Sequence, residues 1–468
     1  MEEEEGHVLA VPFQSEGHIK GLLRLAHAMA AMGFKVTFIY PARFHAIAYK
    51  RGGPDHLLLS KVAPGNARLQ FEVADDGLPL EEECPLTDKL LLISIPIFQS
   101  SVKLILNRLT SQALPLLSCI VSDCVSPWTK ELAHALALPH ISFWTSTAAS
   151  FSMSAHLPLL ISSGHLPVNK DCWAEGKRWI LEAPLVECIP GLPPFPVTDL
   201  PSEFAQAETL IDPCLQFLAA AFQCREGATT SFLVHSVYEL ETQVFDELHT
   251  RGFAIDAVGP LLCHSLPQRT NHESLQWLDM QAASSVIYIA LGTVSHLRPE
   301  EALALGRGLE ALGRPFLWVM RRDEILHSLP EAIRDSGIIL PWVPQEEVLQ
   351  HRAIGAFFSH CGWNSTLESM WEGVAMVACP LGMEQRSNAR RIVEQWKMGV
   401  ELKRQADGSF TKEAVEEALR EVMKERYRVA AARVKEIVRR AAMEGGTSHC
   451  SLIRLREFLR KLHSSTYK

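Results

Sequence analysis

Residues 7–13 form a short, nearly unbroken apolar run, the pattern of a parallel strand covered on both faces. A polar loop containing glycine follows (Gln14, Ser15, Glu16, Gly17), and then Ile19, Leu22, Leu23, Leu25, Ala26, Met29 and Met32 recur at helical spacing. Gly33 supplies a helix stop and residues 35–40 read as a second strand, which completes one βαβ unit. The alternation continues with a strand at 119–122, a helix at 128–137 and a strand at 140–143. Around Val258-Gly259-Pro260 the pattern loosens, and residues 263–273 read as an interdomain linker. A second series then begins: a strand at 285–291, the turn Gly292-Thr293-Val294-Ser295, and a helix at 299–312 with Pro299 in its first turn and Gly313 after its end. Short strands are predicted at 316–320, 338–340, 355–359 and 376–380. Each half therefore reads as an α/β, doubly wound parallel domain, a fold that binds ligands at the carboxyl ends of its strands.

Length agrees, since 468 residues exceed what one hydrophobic core usually supports. A composition of 47% apolar and 21% charged residues is that of an ordinary globular protein. The formal charge of −9 argues against nucleic acid or an anionic membrane as the main partner, because both require a cationic face. Eleven cysteines are scattered without a CxxC pair or a Cys/His cluster, which fits a reducing compartment better than a zinc site. The start Met1-Glu2-Glu3-Glu4-Glu5 is the opposite of a cationic targeting segment. No stretch reaches the ~18 uninterrupted apolar residues of a membrane span, and residues 90–98 and 114–121 read as buried strands or helix faces. A cytoplasmic monomer without a membrane span is the expectation.

The most informative segment is residues 342–385, WVPQEEVLQHRAIGAFFSHCGWNSTLESMWEGVAMVACPLGMEQ. A strand ends at His360, a tight turn at Cys361-Gly362 follows, and Asn364, Ser365 and Thr366 stand where a helix begins. Glycine for close approach, a helix N-terminus, and hydroxyl, amide and imidazole donors together suit a diphosphate. Taken singly the parts have plainer readings: Asn364-Ser365 as a helix cap, Trp342 as packing, His360 as a structural histidine.

As an ensemble, the W-x-P-Q, H-C-G-W-N-S-x-x-E and terminal acidic-Gln elements closely resemble the signature box of plant family 1 UDP-dependent glycosyltransferases. Ile189-Pro190-Gly191-Leu192-Pro193, residues 233–241 (LVHSVYELE), Trp277-Leu278-Asp279 and Gly445-Gly446-Thr447-Ser448 extend the resemblance over nearly the whole chain. It implies the glycosyltransferase type B fold, two Rossmann-like domains facing across a cleft. Residues 1–250 would bind the acceptor, 251–450 the UDP-sugar, and 451–468 would pack back on the first domain. It further implies that Trp342 stacks on uracil, the Val343 backbone pairs with the base edge, and Gln345 and Glu368 hold the ribose. His360, Gly362, Asn364 and Ser365 would meet the phosphates, with Gly292 and Thr293 closing from the other side. Thr145, Trp363, Glu384 and Gln385 would face the sugar, and Gln385 with Trp363 favours UDP-glucose.

Inverting transfer needs a base for the acceptor hydroxyl, and a histidine that titrates near neutrality suits it. His18 lies in the loop after the first strand and Gly17-His18-Ile19 resembles the family's G-H motif. Asp123 matches the aspartate that would fix the tautomer of that histidine, and capping the following helix is its competing reading. No D-x-D sequence is present to hold a divalent ion, so the expectation is a donor stabilised without metal or other cofactor. The chain departs from the family at Lys20-Gly21, where Asn-Pro is common. It departs again at Ala375, Cys379, Gly382 and Glu384. Two other classes share the expected architecture: a UDP-sugar epimerase, and a small-molecule-binding homologue that has lost catalysis.

Overall fold

The computed structural model describes residues 6–50, 68–81, 88–111, 117–168, 183–222, 231–262, 270–292, 297–321, 326 and 329–466. Its strands are β1 (His7–Val11), β2 (Lys35–Pro41), β3 (Leu69–Ala74), β4 (Leu117–Asp123), β5 (His140–Trp144), β6 (Leu185–Val186), β7 (Phe195–Pro196), β8 (Ser231–Val234) and β9 (Ile255–Ala257). They continue with β10 (Val286–Ala290), β11 (Phe316–Val319), β12 (Ile338–Leu340), β13 (Ile354–Ser359), β14 (Met376–Ala378) and β15 (Gly399–Glu401). Two parallel sheets result, in the orders β3-β2-β1-β4-β5-β8-β9 and β12-β11-β10-β13-β14-β15. The chain divides into two compact units, Met1–Ala155 with Ile211–Leu266 and Ala441–Lys468, and His156–Leu210 with Pro267–Arg440.

The apolar runs become strands because both faces are covered. Every residue of β1, β4, β5 and β10 is buried, and each large aliphatic side chain so removed from water is worth about 1.5–3 kcal/mol. In the first unit Leu22, Leu25 and Met29 of the helix Glu16–Ala31 share a core with Val8, Val36, Phe38 and Val121. Leu455 and Leu459 of the last helix, Thr447–Thr466, join the same core. That helix begins where Thr447 Oγ1 donates to Glu239 Oε2 at 2.9 Å.

Two boundaries differ from the expected division. The first unit runs past residue 250, because β9 adds to the first sheet beside β8. Residues 156–210 group with the second unit, where Ser202 hydrogen-bonds Met383 and Asp199 pairs with Arg390. Residues 90–98 fall within the helix Asp88–Ser111. Residues 89–110 of that helix are long and apolar enough to cross a membrane by length and composition alone. Phe98, Val102, Ile105 and Leu106 are buried with Leu9, Val11, Ile39 and Ala74 of the first sheet.

In each sheet the order reverses beside one strand, and chain leaving such a switch point diverges to opposite faces. In the first sheet that place lies between β1 and β4, and in the second between β10 and β13. His18 and Asp123 follow or end the first pair of strands; Gly292 and His360 follow the second.

Candidate active site

In the first unit, β1 leads through Pro12, Phe13 and Gln14 into the helix Glu16–Ala31. Gln14 is buried and its Nε2 donates to Ser94 Oγ at 2.9 Å, which fixes this connection to the helix Asp88–Ser111. His18 occupies the first turn, so Lys20 and Gly21 lie inside the helix and not at its start. Its Nδ1 is 2.7 Å from Asp123 Oδ2; the imidazole is a quarter exposed and the carboxylate is buried. Thr145 Oγ1 approaches the same nitrogen at 3.1 Å, from just past β5. Asp123 Oδ1 accepts from the Val125 N–H at 3.0 Å, so one oxygen shapes the local turn while the other meets the histidine.

A carboxylate on Nδ1 favours the tautomer with its proton there and puts the ring lone pair on Nε2. Phe13 lies edge-on to the imidazole, with centroids 5.3 Å apart, and Phe217 stands 6.0 Å from Phe13. Gly21 keeps the helix close: a Cβ there would lie 3.2 Å from Thr145 Cγ2.

In the second unit, β13 ends at Ser359 and the chain turns through His360 and Cys361, which has φ +66°. Gly362 is the N-cap of the helix Trp363–Glu372 and brings no capping side chain; Asn364 and Ser365 stand in the first turn, not at the cap. The first intrahelical bond runs from Thr366 N–H to Gly362 C=O at 3.0 Å. N–H groups earlier than this are the ones a helix N-terminus offers to an anion. The His360 ring is wedged between two glycines: a Cβ at Gly362 would lie 2.4 Å from its Nε2, and one at Gly292 (φ +79°) 2.7 Å. Thr293 lies outside the described residues.

Burial lowers the His360 pKa to about 4, so the ring is neutral near pH 7. His140 in the first unit is lowered to about 3, by burial and then by Lys130; its Nε2 meets Ser122 Oγ at 2.8 Å. Both groups bind a proton more weakly folded than unfolded, where histidine titrates near 6.5. Their contribution to stability is complete above that pH and is lost as pH falls from 6.5 toward 4, at up to ~1.4 kcal/mol per pH unit for each group. We expect the melting temperature to drop over this interval and His140→Gln to flatten the drop. A variant with the wild-type acid slope would show that His140 does not contribute.

Four polar side chains form one network beside this turn. Gln345 Nε2 donates to Glu368 Oε2 at 2.7 Å and to Ser365 Oγ at 3.1 Å, and Gln345 Oε1 accepts from Tyr288 O–H at 3.0 Å. Glu368 is buried. Tyr288, buried in β10 and stacked on Phe357 at 4.9 Å, was not singled out in the sequence. Its strand position reads as core, and only the hydroxyl bond reveals more. Val343 is buried, and half-buried Trp342 has the His272 ring edge-on at 5.3 Å.

Trp363 is buried, 6.1 Å from Trp396. Gln385 Oε1 accepts from the Leu381 and Gly382 N–H groups at 2.9 and 3.1 Å. Asn388, also absent from the sequence-derived set, donates from Nδ2 to the Cys361 carbonyl at 3.0 Å and to Glu384 Oε1 at 3.3 Å. It thus connects the turn after β13 to the residue pair at 384–385. Ala375 and Cys379 are buried, and Arg404 Nη2 lies 3.2 Å from the Cys379 sulfur.

The model of the family described as UDP-glucoronosyl and UDP-glucosyl transferase matches residues 207–444. UDP-glycosyltransferase 85A3 of Arabidopsis thaliana is 30% identical over 449 residues, covering 90% of this chain and 88% of that protein. Linamarin synthase 1 of Manihot esculenta is 30% identical over 458 residues, 91% of each. Among solved structures, Phytolacca americana UGT2 complexed with UDP-2fluoro-glucose and pterostilbene superposes with a TM-score of 0.79 at 24% identity, covering 97% of this chain and 99% of that one. Os79 from O. sativa, in complex with U2F and trichothecene, gives 0.75 at 26% identity, with 97% and 100% coverage.

Proposed function

The chain belongs to the UDP-glucoronosyl and UDP-glucosyl transferase family, as a plant family 1 UDP-glycosyltransferase, and from that premise we propose that it transfers glucose from UDP-glucose, with inversion, to a hydroxyl of a small lipophilic acceptor. The observation that carries the reading is the 2.7 Å contact between His18 Nδ1 and Asp123. In the reaction, His18 Nε2 takes the acceptor hydroxyl proton as the oxygen attacks the anomeric carbon. The bond from that carbon to the β-phosphate oxygen breaks, and its electron pair leaves with UDP. Asp123 stabilises the imidazolium that forms. Attack opposite the departing UDP inverts the anomeric centre. Phe13 beside the base, with Phe217 next to Phe13, supports an apolar, ring-containing acceptor.

On the donor side, Trp342 carries the uracil face, the Val343 backbone its edge, and Gln345 and Glu368 the ribose. His360, Gly362, Asn364, Ser365 and the glycine turn at 292 take the diphosphate, and Thr145, Trp363, Glu384 and Gln385 the sugar. Relatives named as glucosyltransferases, among them the 7-deoxyloganetin enzyme of Gardenia jasminoides, support glucose as the donor sugar. The free thiols of the described cysteines at 119, 188, 361, 379 and 450 support a reducing, cytoplasmic setting.

The reading is tested by incubating the protein with UDP-glucose in the presence and absence of phenolic acceptors, with and without EDTA. A transferase releases UDP only with acceptor. Conversion of the donor without acceptor would identify an epimerase, and binding without turnover an inactive homologue. The initial rate should survive EDTA, because helix N–H groups and side-chain donors stabilise the departing diphosphate; activity lost in EDTA and restored by magnesium would assign that role to a metal. Trp342→Ala should weaken UDP and UDP-glucose alike by about 1–3 kcal/mol, the range for base–aromatic stacking. Unchanged UDP affinity in titration would leave Trp342 a packing partner of His272.

A further inference from the structure

Residues 381–384 lead from β14 into the helix Gln385–Arg390. This short loop has little side-chain packing of its own. A Cβ at Gly382 would meet nothing within 4 Å, and Met383 is 39% exposed at φ +53°, a left-handed conformation that costs a non-glycine residue energy. From one side the loop is held by Gln385 Oε1, through Leu381 and Gly382.

From the other side it is held by a stretch of chain almost two hundred positions earlier. Ser202 N–H donates to the Met383 carbonyl at 3.1 Å, and Ser202 Oγ accepts from the Met383 N–H at 2.8 Å. Both backbone groups of the strained residue therefore end on one serine. Three residues before it, Asp199 pairs with Arg390 at the far end of the same helix, and the turn Val197–Asp199 packs along that helix. Burial pushes the Asp199 carboxyl upward and Arg390 opposes the shift, as expected of an ion pair largely shielded from water. Leu200 and Phe204 anchor the stretch in the interior, at 1% and 0% exposure.

We propose that Ser202, backed by the Asp199–Arg390 pair, is a positioning residue for donor-sugar selection: the strap at residues 197–205 sets where Glu384 and Gln385 stand. The proposal rests on the reading that this pair contacts the transferred sugar. Hexose donors differ by the orientation of single hydroxyls, so discrimination is lost when recognising groups move by fractions of an ångström. Removing the Ser202 hydroxyl leaves the Met383 N–H without its acceptor in a loop whose Gly382 and Met383 have little packing to hold them. No bond of Ser202 reaches Trp342, Gln345 or His360, so affinity for UDP itself should not follow.

The test uses the full chain and measures kcat/KM for UDP-glucose and UDP-galactose, and Kd for UDP, in wild type, Ser202→Ala, Ser202→Thr and Gln385→Ala. Ser202→Ala should lower kcat/KM for UDP-glucose by about tenfold and narrow the preference over UDP-galactose severalfold, with Kd for UDP within about twofold. Ser202→Thr, which keeps the hydroxyl, should restore both. An unchanged preference in Ser202→Ala, or a UDP affinity that falls as far as kcat/KM does, would overturn the strap's role. Gln385→Ala reports on the underlying reading: if it leaves the preference intact, the pair at 384–385 does not select the sugar, whatever Ser202 does.

Discussion

Replacing His18 with alanine is expected to lower the rate of transfer by about 10²–10⁴-fold, the usual contribution of a positioned general base, while affinity for UDP stays within a few-fold of wild type. The separation follows from where the side chain stands. His18 belongs to the first unit and its Nδ1 faces Asp123 and Thr145, whereas the turn from His360 to Ser365 belongs to the second unit. A base acts on the acceptor proton, so its loss should appear in turnover and not in nucleotide titration. Asp123→Asn is the companion variant. An amide can present its N–H to Nδ1 and stabilise the tautomer with the lone pair on the wrong nitrogen, so turnover should fall although packing changes little. Near-normal turnover in His18→Ala would remove the histidine from the chemistry and leave its contact with Asp123 as a structural cap.

The fold was legible where strands such as β1, β4, β5 and β10 are short, fully covered and largely apolar, and where the helices carry their own punctuation. Pro299 and Gly313 bracket one helix as the sequence predicts, the glycine in the left-handed conformation at φ +66°. Where punctuation is missing, periodicity is ambiguous. Residues 90–98 are apolar enough for a buried strand or a helix, and they lie in a helix that carries Pro96 in its interior. The grouping of residues 156–210 with the second unit was not legible at all, because contacts such as Ser202 to Met383, 181 positions apart, leave no local trace.

The site divides in the same way. The resemblance named Gln345, Ser365 and Glu368, and these side chains do meet; it could not name Tyr288, whose ring is an ordinary core residue and whose hydroxyl alone reaches Gln345. Asn388 lies three residues beyond the recognised segment, and its two bonds become visible only once Cys361 and Glu384 are neighbours. Cys379, in place of the usual tryptophan, acquires a physical context in the same manner. The Arg404 guanidinium lies against its sulfur and over the Phe410 ring at 5.3 Å, and burial raises the thiol pKa to about 11, which keeps it protonated.

A single methyl group at position 362 should be as damaging to donor binding as the loss of the base is to turnover. In Gly362→Ala the new Cβ would stand 2.4 Å from His360 Nε2, closer than real Cβ atoms come, and 3.1 Å from Cε1, a tight contact. A flexible neighbour would swing away, but this half-buried ring is confined on two sides, because a Cβ at Gly292 would already come within 2.7 Å of the same nitrogen from its own side. The backbone has to yield instead. Gly362 is the N-cap of the helix Trp363–Glu372 and follows Cys361 at φ +66°, so yielding there displaces the first-turn N–H groups and the side chains of Asn364 and Ser365 together. Those groups stabilise a diphosphate only when aimed at it, and a displacement near 1 Å in such a site costs on the order of 10²-fold. Calorimetric titration should show UDP binding weakened by at least that factor in a protein whose far-ultraviolet circular dichroism is unchanged. The stacking contribution of Trp342 should persist, so that adding Trp342→Ala to Gly362→Ala weakens binding further. Wild-type affinity for UDP in Gly362→Ala would mean that the turn between β13 and the following helix does not hold the phosphates.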